Sequence, residues 1–325
     1  MSLKLNSRNR QSQSLKPEKR ENREVLFEPM ENEAVFPNKS KPKISKKLKE
    51  FKKQSSKINF CPLGNRENYP GNYDNYLQTT LSHLSQMKHL KFENALKDSN
   101  LFNGVPDYTH VPPKRKICLI DLDETLIHAD FNQEYTNYDA VIKFEEKESE
   151  YEESCEEYCE KRRMKLEKIE DKTKEYKVGI FIRNGAKQIL AEVSKYFDVG
   201  IFTASVKEYA NAVIDYLDPN KEMVKFRLYR NNCINVNDRI YVKDLRIFKG
   251  VNLKDIFLID NSIYSFSAQL TNGILINSFY NDKNDIELYN VLGYLLNFLL
   301  KADDVRIINE QFFNFQAILD NIDAE

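Results

Sequence analysis

No apolar run in this sequence approaches the roughly 18 to 20 residues that span a membrane. The longest candidate, VLGYLLNFLL (Val291 to Leu300), is about half that length and predicts a buried helix. The first residues lack the apolar stretch of a secretory signal, and acids from Glu18 onward speak against a mitochondrial leader. Cysteine is scarce: Cys61, Cys118, Cys155, Cys159 and Cys233 form an odd, scattered set without a CxxC pair. That excludes a disulfide framework and points to a reducing compartment, nuclear or cytoplasmic. Cys155 and Cys159 lie one helical turn apart, yet no nearby His or second Cys pair completes a zinc set.

Neither sign of charge dominates, since the formal net charge is −1, but the charge is unevenly placed. Residues 1–60 carry an excess of about nine positive charges among many Ser, Asn and Gln, which predicts a disordered basic arm over 1–68. Within it, KPKISKKLKEFKK (Lys41 to Lys53) reads as a nuclear localisation patch or as a solvated basic linker. Such an arm attracts nucleic acid or acidic partners electrostatically, but it holds no sequence-reading motif, so no specific nucleic acid is expected. In the following segment, 69–110, Leu77, Leu81 and Leu84 recur at helical intervals. They predict an amphipathic helix that packs on the main domain or binds a partner.

From Lys114 the rhythm changes. Short apolar runs alternate with helical patterns: KICLIDLD, AKQILAEVSKYF, DVGIFTAS, KEYANAVIDYL, DIFLIDNS and IELYNVLGYLLNFLLKA. That alternation predicts an α/β domain over 111–305, with a doubly wound parallel sheet covered by helices on both faces, and a C-terminal helix over 306–325. In such sheets ligands bind at the carboxyl ends of the strands. The polar groups fall there: ICLI leads to Asp121 and Asp123, VGIF to Thr203 and Ser205, IFLI to Asp260 and Asn261, and RIYVKDL supplies Lys243.

Carboxylates, an amide and a lysine gathered this way suit a hard divalent cation with oxygen ligands, such as Mg²⁺. The cation relieves carboxylate repulsion and neutralises phosphate oxygens. Asp121 could then attack phosphorus as a covalent nucleophile, with Asp123 as acid and then base. Thr203 and Lys243 would hold the phosphoryl oxygens. The alternative is that DLDET opens a helix, with its acids as caps.

DLDET, FTAS, YVKDL and LIDNS, in this order, resemble the signatures of the haloacid dehalogenase superfamily. Within it they resemble the branch of phosphatases that act on the RNA polymerase II carboxy-terminal domain, over roughly Lys114 to Val305. The resemblance implies Asp121 as nucleophile and Asp123 as general acid and base. It implies phosphate contacts from Thr203, Ser205 and Lys243. Mg²⁺ would be held by Asp121, the Asp123 carbonyl and Asn261, with Asp260 beside them and paired to Lys243. It further implies a phosphoprotein substrate, phosphoserine or phosphothreonine followed by proline, and a monomeric catalytic domain.

The gaps between Thr203, Lys243 and Asp260 leave no room for a large cap, and an open site favours a phosphate presented on a protein surface. After Asp123 the resemblance implies a small β-hairpin. Tyr138 to Phe144 and Glu175 to Arg183 predict its strands. Between them lies a run free of Gly and Pro, with Glu157–Lys161 and Glu170–Lys174 at favourable spacing, which predicts a long charged helix over 145–175. This helix is a solvated decoration or a lid that selects partners. Phe131, Phe144, Val206 and Tyr209 match the positions of a proline pocket, and Arg230 matches an arginine near the substrate tail. Asn184 and Ile263 stand where the family has proline, and Asp130 is expected to place a negative charge near the groove. His128 reads as structural. The contrasting possibilities are a scaffold or import-receptor-like binding module without catalysis, and a phosphatase for small metabolites.

Overall fold

The computed structural model describes residues 72–88, 90, 95–132, 135–147, 173–236 and 240–321. The expected basic arm and residues 148–172 of the expected charged helix lie outside them; the described ends of that expected helix, 145–147 and 173–175, are strand instead. Helix α1 (Asn72–Met87) is followed by strands β1 (Ile117–Ile120), β2 (Ile127–Asp130), β3 (Ala140–Lys147) and β4 (Thr173–Ile182). Next come α2 (Ala186–Val193), β5 (Asp198–Phe202), α3 (Lys207–Leu217), β6 (Phe226–Leu228), β7 (Ile234–Asn235) and β8 (Tyr241–Val242). The chain finishes with β9 (Ile256–Asp260), β10 (Gly273–Leu275), α4 (Glu287–Tyr294), α5 (Val305–Phe313) and α6 (Phe315–Asn321).

Five strands form a parallel sheet in the order β10-β9-β1-β5-β6. Every residue of β1, β5, β9 and β10 is buried, so the strands are covered on both faces and read as continuous apolar runs. Ile120 pairs with Ile201 on one side and Ile259 on the other, which brings the ends of three strands level. From β1 the chain moves to β5 and β6, then returns to β9 and β10 on the opposite side. Direction therefore reverses beside β1, where Asp121 follows the strand.

Helix α2 turns Ala186, Ile189, Leu190 and Val193 inward, and α3 does the same with Tyr209, Ala210, Val213, Ile214 and Leu217. A second sheet, antiparallel in the order β2-β4-β3, forms the expected hairpin after Asp123. Gly179 of β4 lies under the Tyr138 ring, and a Cβ there would meet that ring at 2.4 Å. Helix α1 packs on this domain, with Leu81, Leu84 and Met87 buried, so of its two expected roles it takes the first. The apolar run after Val291 continues α4 through a π-helical turn, Leu295–Leu299. The single helix expected over 306–325 is instead two, because Asn314 adopts φ +59° and breaks the ladder between α5 and α6. Among the described residues no helix is long and apolar enough to cross a membrane.

Candidate active site

The loop after β1 is held from several sides. The Asp121 N–H donates to the Ile259 carbonyl at 2.9 Å, so the ladder with β9 extends one residue into the site. Leu126 and Ile127 both donate to the Leu122 carbonyl, and Glu124 takes φ +53° to close this turn. Thr203 continues β5 and donates its N–H to the Leu228 carbonyl. Lys243 follows β8, and its N–H donates to the Ser265 carbonyl at 2.7 Å.

The structure brings Asp121, Lys243 and Asp260 into one ionic cluster. The Lys243 Nζ donates to Asp121 Oδ1 and to Asp260 Oδ2, each at 2.6 Å, and this lysine is only 1% exposed. Burial disfavours its charge, but Asp121 and Asp260 outweigh that and hold its pKa above the ordinary lysine range. Burial pushes the Asp260 carboxyl up, to about 6, against the pull of Lys243. Asp123 faces a different pair: Ser205 Oγ donates to Oδ2 at 2.6 Å and the Tyr209 hydroxyl to Oδ1 at 2.5 Å. Burial raises the Asp123 carboxyl against those two bonds, and the Asp121 charge adds to the rise. Glu124, bonded to His128 Nδ1 at 3.1 Å, is raised to about 7, chiefly by burial and further by Asp123 and Asp121.

Against three aspartates at this site, the cluster contains one ammonium, and the excess of negative charge suits a divalent cation. No group of three or more His, Cys, Asp or Glu among the described residues has the arrangement of a metal cage. A hard cation does not need one, since it accepts amide and main-chain oxygens and retains water. Asn261 donates through Nδ2 to Ser278 Oγ at 3.0 Å, which leaves Oδ1 on the Thr125 side, 3.4 Å from that hydroxyl. Asp121 and Asn261 Oδ1, which follow the neighbouring strands β1 and β9, are oxygen donors of the kind such an ion takes.

The outer residues form a wall. Tyr209 is 2% exposed, with ring centroids 5.3 Å from Phe131 and 5.6 Å from Phe144. Tyr176, which the sequence reading overlooked, stacks on Phe144 at 5.2 Å. Val206 precedes α3 and packs on the core. Arg230 donates through Nε to the Ala204 carbonyl at 2.7 Å and lies over the Tyr241 ring, which ties it to the β5 loop. Ser205, expected on the phosphate, has its hydroxyl on Asp123. Asp130, expected to charge the groove, is buried; it accepts from the Tyr138 hydroxyl at 2.6 Å and from the Asn132 N–H at 3.0 Å. Its charge organises the turn between β2 and β3. Asn184 accepts from the Tyr289 hydroxyl, and Ile263 is buried at the start of a short turn.

Arg183 went unread because its partners are remote in sequence. It is fully buried, makes two bonds to Asp285 at 2.8 and 2.7 Å, and donates to the Thr125 carbonyl at 3.1 Å. With Phe279, whose N–H donates to the Glu124 carbonyl, it buttresses the loop that carries Asp121 and Asp123.

Residues 116–306 match the family described as NLI interacting factor-like phosphatase. The chain is similar to CTD small phosphatase-like protein 2 of Dictyostelium discoideum, 35% identical over 219 residues that cover 66% of this chain and 33% of that protein. It is also similar to a probable C-terminal domain small phosphatase of the same organism, 32% identical over 222 residues, 67% of this chain and 63% of that one. The chain therefore spans about a third of the first relative's length and less than two thirds of the second's. A solved structure of Fcp1, an essential RNA polymerase II CTD phosphatase, matches with 18% identity and a TM-score of 0.38 over 63% of each chain.

Proposed function

Because this chain belongs to the NLI interacting factor-like phosphatase family, we propose that it is a Mg²⁺-dependent protein serine/threonine phosphatase that works through an aspartyl-phosphate on Asp121. Its substrate is a phosphoserine or phosphothreonine followed by proline, in the RNA polymerase II carboxy-terminal domain or a similar tail, in the nucleus or cytoplasm. The observation that carries this reading is the buried Lys243 ammonium, 2.6 Å from carboxylates at the ends of two adjacent strands, next to a third carboxyl held by Ser205 and Tyr209.

In this reading Asp121 attacks phosphorus, and the bond from phosphorus to the serine or threonine oxygen breaks as Asp123 gives that oxygen its proton. Asp123 then takes a proton from the water that attacks the aspartyl-phosphate, which releases inorganic phosphate and restores Asp121. Lys243 and Thr203 hold the phosphoryl oxygens while their charge redistributes. The metal, when bound to Asp121, the Asp123 carbonyl and Asn261, supplies positive charge that offsets the acids and the phosphate. The aromatic wall of Phe131, Phe144 and Tyr209 receives the apolar residue that follows the phosphate.

The test is Mg²⁺-dependent hydrolysis of an aryl phosphate and of a phosphoserine-proline peptide. Wild-type protein is expected to hydrolyse both, and Asp121→Asn to lose at least about a thousandfold in kcat/KM. Inactive wild-type protein, or an Asp121→Asn variant that retains turnover, overturns the reading; the former leaves a binding module.

A further inference from the structure

Asp123 is held by a residue whose ring belongs to the substrate wall. The Tyr209 phenol is buried, and a buried phenolic O–H needs a partner. It donates at 2.5 Å to Asp123 Oδ1. Ser205 takes the other oxygen, Oδ2, at 2.6 Å. Both donors lie on the segment that leaves β5 and enters α3, so that segment sets the plane of the carboxyl. The Tyr209 ring lies against Phe131 and Phe144, and Phe131 is 39% exposed at the mouth of the wall.

We infer that Tyr209 is a positioning residue that couples the aromatic wall to the proton donor, so that a substrate side chain seated on the wall accelerates loss of the serine oxygen as well as adding affinity. The inference rests on the phosphatase reading above. The geometry gives it direction: a side chain packed on Phe131 and Phe144 presses on the ring whose oxygen aims Asp123. Wall contacts then appear in the rate of ester cleavage, where uniform binding would change affinity alone.

Tyr209→Phe keeps the ring and removes the hydroxyl. The readout is the leaving group. A nitrophenolate departs with little help from an acid, while a serine alkoxide needs its proton as the P–O bond breaks. The variant is expected to slow leaving-group release in a single turnover at saturating enzyme about tenfold or more on a phosphoserine-proline peptide and only a few-fold on nitrophenyl phosphate, because this rate excludes the later hydrolysis in which Asp123 serves both substrates alike. The peptide-to-aryl ratio of these single-turnover rates therefore falls at least about threefold. Equal losses on both substrates, or no loss, overturn the inference. If Tyr209→Phe does not fold, Phe144→Leu loosens the support of the ring while keeping the hydroxyl. It is expected to lower the same ratio, and an unchanged ratio there overturns the inference as well. Wild-type protein inactive on both substrates defeats the phosphatase reading instead, so the two failures are distinguishable.

Discussion

Glu124 illustrates what single residues at this site bear. It sits at φ +53° beside Asp123, with its carboxyl raised from 4.5 to about 7 by burial and by neighbouring acids. Below pH 4.5 the group is protonated in both folded and unfolded chains. Between about 4.5 and 7 the unfolded chain releases the proton and the folded chain keeps it, so the folded state loses stability as pH rises through that window. Above about 7 this contribution is constant. Glu124→Gln cannot ionise, and the stability difference between wild type and variant is expected to decline from pH 4.5 to 7 in urea melts of metal-free protein; parallel curves would contradict this. At this scale the sequence was legible where a carboxylate directly ends a buried apolar strand, as at Asp121 and Asp260. It was not legible where a hydroxyl reaches across the fold, as from Tyr209 to Asp123, or where a carboxylate turns inward, as at Asp130. Local pattern carries the direction of a strand but not the rotamer of a side chain remote in sequence.

Among the elements, α1 lies outside the matched region yet packs on the turn that follows Asn261. Its Gln86 accepts from the Tyr264 hydroxyl, its His83 ring lies 4.9 Å from the Tyr264 ring, and Leu84 is fully buried. Leu84→Ala is expected to cost about 2–5 kcal/mol of stability, through lost transfer energy and the cavity left behind. Chemical denaturation checks this, and a loss below about 1 kcal/mol would show that the helix is not docked in solution. Helix α1 was legible from its 3.6-residue period, and the hairpin from the resemblance, since Val178 to Phe181 of β4 are all buried and do not alternate. The division of the last helix was not: Asn314 looks like any polar helix residue until its φ is known, although asparagine is among the few residues that tolerate that conformation.

For the molecule as a whole, the parallel sheet follows from its alternating sequence, and the reversal beside β1 places the acids where three strand ends converge. What the pattern could not give is the ties of Arg183 to Asp285 and of Lys243 to Asp121, whereas the pairing of Lys243 with Asp260 is the one the resemblance implies. The central claim is that Asp121 becomes phosphorylated. Asp123→Asn slows hydrolysis of the intermediate, while a nitrophenyl ester still permits its formation. Acid-quenching that variant with Mg²⁺ and nitrophenyl phosphate, followed by borohydride reduction, converts an aspartyl-phosphate to homoserine that peptide mass spectrometry locates. The account expects homoserine at Asp121 and nowhere else; a modified residue elsewhere, or unmodified Asp121 while nitrophenol is released in a burst, would contradict it.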